Sequence, residues 1–205
     1  LLPLILEHLP EALAAPGSHA PLRASAGVLP SRLRGGLECR LDGTSAQVDF
    51  HQSLVREDIA AARTYIDPRI DPLFDHPVWR RTAAFLAAWD DTWREQIREL
   101  YLEFDGVAAR RNDALPSLFV CFDTLPAAET RTAALAALDI LSASSFSPSP
   151  AFNRCFDLQA SESVPHIGVM LSRPDAPLRL NIRVQSWDTL APTLRRIGWD
   201  GDFEC

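Results

Sequence analysis

The segment Tyr101-Leu102-Glu103-Phe104-Asp105 sets two carboxylates two residues apart, each flanked by an apolar side chain. Strict alternation of this kind is the mark of a β-strand with one wet face, so Glu103 and Asp105 project to the same side. Neighbouring carboxylates push each other's pKa values apart, which poises one of them for general acid–base work when a histidine is in reach. Asp49 and His51 repeat the same spacing in an earlier alternating run. The candidate catalytic residues are therefore Glu103, Asp105 and His51, with His166 as a further histidine and Cys121 as a thiol nucleophile beside either histidine. An oxygen-rich set of this kind favours Mg²⁺ or Mn²⁺. The sequence specifies no cofactor and assigns no residue as a metal ligand.

Arginines on strand-like runs add a binding chemistry. Arg40, Arg179 and Arg183 can clasp a carboxylate or phosphate through their planar guanidinium groups. Asp49, Tyr101 and Asn181 stand on the same alternating positions and complete the candidate ligand-binding set.

Composition removes several alternatives. All 20 cationic side chains are arginine and none is lysine. Schiff-base catalysis, lysine-anchored pyridoxal phosphate, the Walker-type phosphate loop and the kinase lysine all need the missing amine. There is no GxSxG elbow for a serine hydrolase. A formal charge of −7 runs against non-specific nucleic-acid binding, which requires a basic field. No apolar run reaches the roughly 20 residues of a membrane-spanning helix. The opening LLPLILEHLPEALAA is broken by Glu7, His8 and Glu11 and lacks the positive start of a signal peptide. Cys39, Cys121, Cys155 and Cys205 show no CxxC spacing, which points to buried free thiols and a reducing, cytoplasmic setting.

The elements that must position these residues follow from periodicity. Residues 3–15 read as a short helix, and the Pro-, Gly-, Ala- and Ser-rich stretch 16–36 as an irregular lead-in. LECRLDGTSAQVDFHQSL reads as a hairpin turning at DGTS. A helix over 56–66 follows, then a proline-punctuated loop to residue 77. The next helix starts with Asp75 as cap and Pro77 in its first turn, and carries Phe85, Trp89, Trp93 and Ile97 on one stripe. The strand through Glu103, a strand over 117–123, and a helix over 126–143 capped by Thr124 come next, with Leu135, Leu138 and Leu141 facing inward. SASSFSPSPAFNR reads as a loop. Strands over 166–172 and 178–184 flank RPDAP, and a last helix over 188–197 is capped by Ser186 or Asp188 and closed by Gly198. With no linker near the middle, residues 1–205 read as a single α+β domain, 1–36 as helix and lead-in and 37–200 as the sheet-and-helix core. The sheet has about six strands, built from successive antiparallel hairpins with helices over one face.

Sorted by the period-two rule, one face collects Leu37, Val48, Phe50, Leu102, Phe104, Leu118, Val120, Ile167, Leu180 and Ile182. The other collects Glu38, Arg40, Asp49, His51, Tyr101, Glu103, Asp105, Phe119, Cys121, Asp123, His166, Gly168, Met170, Arg179, Asn181 and Arg183. Cross-strand pairing then predicts that arginines of RLNIR (179–183) answer the acids of YLEFD. The cadence of helices and strand pairs resembles the αββα repeats of the prenyltransferase barrel, in which helices surround a barrel whose polar lumen holds the substrate. That resemblance implies a curled sheet, here a half-barrel. The chain departs from it in having fewer strands, two tyrosines in all and no lysine to hold diphosphate.

The functional expectation is a binding or accessory protein that recognises a small anionic ligand or a peptide or protein partner on the polar face, with homo-oligomer formation through a sheet edge as a further option. Neither nucleic acid nor membrane is expected as a partner. The alternative is an enzyme using the Glu/Asp/His cluster for acid–base or Mg-assisted chemistry. A curled sheet with a pocket over Glu103 would favour the enzyme, and a flat sheet or one paired through its edge would favour the binding module.

Overall fold

Alternating apolar residues that can bury only one side of each strand produce a sheet in which every strand pairs with its neighbour in sequence. The computed structural model describes His8 and residues 19–30, 33–39, 48–106, 113–122, 125–142, 146–157, 162–173, 175–176 and 178–201. Its strands are β1 (Arg34–Cys39), β2 (Val48–Val55), β3 (Glu99–Phe104), β4 (Pro116–Cys121), β5 (Ser163–Val169) and β6 (Arg179–Arg183). They form one sheet in the order β1-β2-β3-β4-β5-β6, antiparallel throughout. The described residues also form six α-helices: α1 (His19–Ala26), α2 (Ile59–Tyr65), α3 (Pro77–Thr92), α4 (Ala127–Leu141), α5 (Pro150–Arg154) and α6 (Trp187–Ile197). The fold is α+β, as the hairpin cadence predicts. The sheet stays open and does not close into a barrel.

The apolar face carries Phe50, Leu54, Leu100, Leu102, Phe104, Leu118, Val120 and Ile167, all buried in one cluster with side chains from the helices. Helix α3 buries Val78, Trp79, Thr82, Phe85, Leu86 and Trp89, a stripe at helical spacing. Two tryptophans of this stripe are wholly shielded from solvent, so they act as core and not as pocket walls. Gln52 also points into the apolar side, in register with Gly35 and Leu102, and is buried.

Several boundaries differ from expectation. The stretch 16–36 is not all irregular: HAPLRASA forms α1, which buries Leu22 and Ser25. Alanine, leucine and arginine are strong helix formers, and Pro21 falls in the first turn, where a missing N–H costs little. β1 likewise begins at Arg34, before residue 37. The cap of α3 is His76, whose Nδ1 accepts from the Val78 amide at 3.2 Å, while Asp75 is drawn off to Arg80 at 2.6 Å. That helix ends at Thr92, because Asp90, Asp91 and Thr92 are weak helix formers. Trp93 is its C-cap, and Ile97 is buried beyond it, where its carbonyl accepts from the Trp89 indole at 2.9 Å. On α4 the buried face is Thr130, Ala133, Ala134, Ala137, Leu138 and Leu141, with Leu135 half-buried at its margin. SASSFSPSPAFNR contains α5, capped by Ser149 with Pro150 at its first position. Helix α6 is capped by Ser186 and closed by Gly198 at φ 94°. The expected helix over 3–15 apart from His8, the DGTS turn and Thr124 lie outside the described residues. No described helix is long and apolar enough to cross a membrane.

Candidate functional site on the concave polar face

Strand register arranges the polar face in rows. Gly36, His51, Glu103 and Ser117 make one row across β1 to β4. Arg34, Ser53, Tyr101, Phe119, Gly168 and Arg179 make a second across all six strands. Glu99, Cys121, His166 and Asn181 make a third. In a flat sheet, five inter-strand spacings of about 4.8 Å would hold the outer strands roughly 24 Å apart. Here Glu38 of β1 and Arg179 and Asn181 of β6 line one pocket of about 380 Å³, together with His51, Tyr101, Glu103, Phe119 and His166. The sheet is therefore curled, and its polar face is the inside of a trough.

Two glycines make room for the rings on this floor. A Cβ on Gly36 would stand 2.6 Å from the His51 imidazole, and one on Gly168 would stand 2.5 Å from the Phe119 ring. Each ring thus lies over the glycine opposite it in the neighbouring strand. Tyr101 sits between two histidines, with ring centroids 5.5 Å from His51 and 6.1 Å from His166. Its hydroxyl donates to Glu99 at 3.0 Å. Burial and this carboxylate contact push the phenol up to about 12, so Tyr101 keeps its proton at neutral pH.

Acids gather at one end of the trough. Asp49, Glu103 and Asp105 each place a carboxylate oxygen within 4.8 Å of the others. Their partners come from the β3 turn and the β5–β6 turn. The Gly106 amide donates to Asp49 at 2.8 Å, and the Ser172 hydroxyl donates to Asp105 at 2.9 Å and lies 2.8 Å from the Ser117 hydroxyl. Arg173 stands 3.1 Å from Asp105 and 3.5 Å from Glu103. This corrects the expected pairing with RLNIR, because β6 is separated from β3 by two strands and the turn arginine reaches the acids first. Arg179 of RLNIR makes no such close pair, yet its charge lowers the Glu103 pKa by more than that of Arg173 does.

No protein-family model matches the chain, and no curated protein or solved structure gives a significant match to it.

Glu103 is only 5% exposed. Burial raises its pKa, the Glu38 and Asp49 carboxylates raise it further, and Arg179 and Arg173 offset part of that rise. Glu38 moves the other way. His51 Nδ1 lies 3.5 Å from its carboxylate, and that contact, with Arg179 as a lesser influence, holds the Glu38 carboxyl below its ordinary range. Two glutamates on one face are thus driven apart in acidity, the condition that lets one hold a proton while the other carries charge. Asp49, Glu103 and Asp105 are the residues that could hold a divalent cation, and Arg173 already brings positive charge to two of them.

Of the candidate residues, the trough collects His51, Tyr101, Glu103, Arg179 and Asn181 on its lining. Asp49 and Asp105 stand beside Glu103 in the acid cluster. Arg183 is exposed at the Ser163 end of β6, away from the lining, and Arg40 lies outside the described residues. Cys121 is buried and faces His166 across the β4–β5 ladder. Sequence reasoning missed Ser172 and Arg173. Continuing the alternation Gly168, Met170 by one step would have put Ser172 on the polar face, whereas nothing in the period marks Arg173.

Proposed function

We propose that the trough binds a small polar molecule with an anionic group, and that Glu103 exchanges a proton with the bound molecule. The carrying observation is the pocket over Glu103, lined from both outer strands of a curled sheet. A concave site with few converging polar groups and a carboxyl of displaced acidity supports catalysis over passive binding. In this reading Arg179 holds the anionic group, Asn181 hydrogen-bonds beside it, and the rings of Tyr101 and Phe119 wall the ligand. Glu103 is the proton carrier, with His51, its register partner on β2, as the second acid–base group. Asp105 and Arg173 set the charge around Glu103. If Mg²⁺ takes part, the acid cluster is where it would act.

The test has two stages. A panel of small carboxylates and phosphate esters is screened for raising the melting temperature of wild type and of Arg179→Gln. A member that stabilises wild type and not the variant supports the anion-binding role; a panel with no effect on wild type, or an equal effect on both, sinks it. The ligand found is then incubated in D₂O and followed by NMR. Deuterium uptake that wild type supports and Glu103→Gln does not is the expected result, and uptake undiminished by Glu103→Gln removes the proton-transfer role.

A second reading has its own observation. β1 and β6 both end the sheet without a further strand partner among the described residues, and such edges invite an extended peptide or a second copy of the chain. The free thiol of Cys155 supports a reducing, cytoplasmic setting for either reading.

A further inference from the structure

A second pocket lies on the helix side of the sheet, away from the trough. It has a volume of about 300 Å³ and is bounded by Arg81 of α3, Leu138 and Leu141 of α4, Phe146, Met170 at the end of β5, and Leu178. Its described lining is apolar except for Arg81 and the hydroxyl of Ser142. The volume lies at the small end of ligand-sized cavities, which run from about 300 to 1,000 Å³.

Arg81 is the informative residue. Its Nε is shielded from solvent and has no hydrogen-bond partner, and the side chain makes no ion pair among the described residues. Its neighbour Arg80 shows the usual alternative, an exposed pairing with Asp75 at 2.6 Å. The chain carries 27 acidic side chains against 20 arginines, so acids are not scarce, yet among the described residues none pairs with Arg81. A guanidinium at an apolar wall with no acid beside it is complementary to an anion that arrives with its own apolar body.

We propose that this pocket binds a small amphipathic anion, a carboxylate on an aliphatic or aryl body, with the carboxylate on Arg81 and the body among Leu138, Leu141, Phe146 and Leu178. The site is separate from the trough and goes beyond the proton-transfer reading. The two described linings have no residue in common; one contact runs between the sites, from Arg173, which pairs with Asp105 and Glu103, to the sulfur of Met170 at 3.4 Å.

The experiment is calorimetric titration of the whole chain with sodium octanoate, 1-octanol and sodium acetate. Octanoate should bind saturably, with octanol and acetate at least tenfold weaker, since each lacks one half of the recognition. Arg81→Gln should weaken octanoate at least tenfold, to the level of octanol, with an unchanged melting temperature because Arg81 has no partner to lose. Ser142→Glu, which adds a carboxylate to the lining, should weaken octanoate too. Arg179→Gln should bind octanoate like wild type. Absence of saturable octanoate binding, equal binding of octanol, undiminished binding by Arg81→Gln or Ser142→Glu, or a loss confined to Arg179→Gln would each overturn the assignment. The last result would place the ligand in the trough and leave that site's reading intact.

Discussion

Glu38 and Arg179 stand on the first and last strands of a six-stranded sheet, and the charge of one acts on the other across its hollow face. That relationship exists only because the sheet curls. It also gives a direct probe of the curl in solution. Replacing Arg179 with Gln should move the Glu38 carboxyl titration upward, and His51→Gln should move it further, because His51 is the larger influence. ¹³C-detected titration of the glutamate carboxyls reads both shifts. A Glu38 titration unmoved by Arg179→Gln would mean the outer strands are apart.

Glu103 supplies the opposite sign. Its pKa is raised in the folded chain, above the value of about 4.3 expected when unfolded. Between those two values the folded state keeps a proton that the unfolded state has released, so its contribution is fully favourable below about pH 4.3 and is lost as pH rises through the folded pKa. Glu103→Gln removes that loss. The variant should melt no lower than wild type at pH 7, and its advantage should shrink toward pH 4. A variant that melts several degrees lower at neutral pH would show that the charged carboxylate is a stabilising partner of Arg173.

Arg173→Ala should do the reverse. It strips positive charge from Glu103 and Asp105 while leaving the acids buried. Removing one partner of a buried pair is costly, but Arg173 is about a third exposed, which reduces the effect to about 1–2 kcal/mol at pH 7. The deficit should narrow as pH falls and the carboxylates protonate. Urea unfolding at pH 7 and pH 4 measures both, and a pH-independent deficit would assign the loss to packing of the turn.

Gly36→Ala tests the ring placement. The added methyl would meet the His51 imidazole at 2.6 Å, so the ring must swing off β1. Since the ring is a movable side-chain end, the cost should lie at the low end for an added methyl, about 1 kcal/mol. The His51–Glu38 contact should break, and the Glu38 carboxyl should titrate higher than in wild type. Unchanged His51 imidazole resonances would show that the ring does not lie over Gly36.

How far these features could be read from the chain depends on their range. The period-two runs through Leu100–Phe104 and Leu118–Val120 state which side chains share a face, because alternation is a local property of a strand. The capping role of His76 was hidden because Asp75 is the better cap by type and is taken by Arg80. Helix α1 was hidden by Pro and Gly residues around a short, helix-favouring core. The acids' nearest cation, Arg173, has no mark in the period because it belongs to a turn, whereas Arg179, which the strand pattern does mark, acts on Glu103 without a close pair. Concavity has no local signal in any one strand: it arises from the accumulated coiling of six strands, and in the sequence only the αββα cadence points to it.

The trough also has a consequence for the order of folding. Glu38 and Arg179 lie about 140 residues apart in the chain, and contacts of such long separation are slow to form. A growing chain can complete the first two hairpins with their helices and still have no pocket, since its last wall arrives with β6. A molecule that binds the finished trough therefore acts on the final closing step, drawing the first and last hairpins toward the folded state by mass action. The pocket would thereby couple cargo to completeness: only a chain made to its sixth strand can hold it.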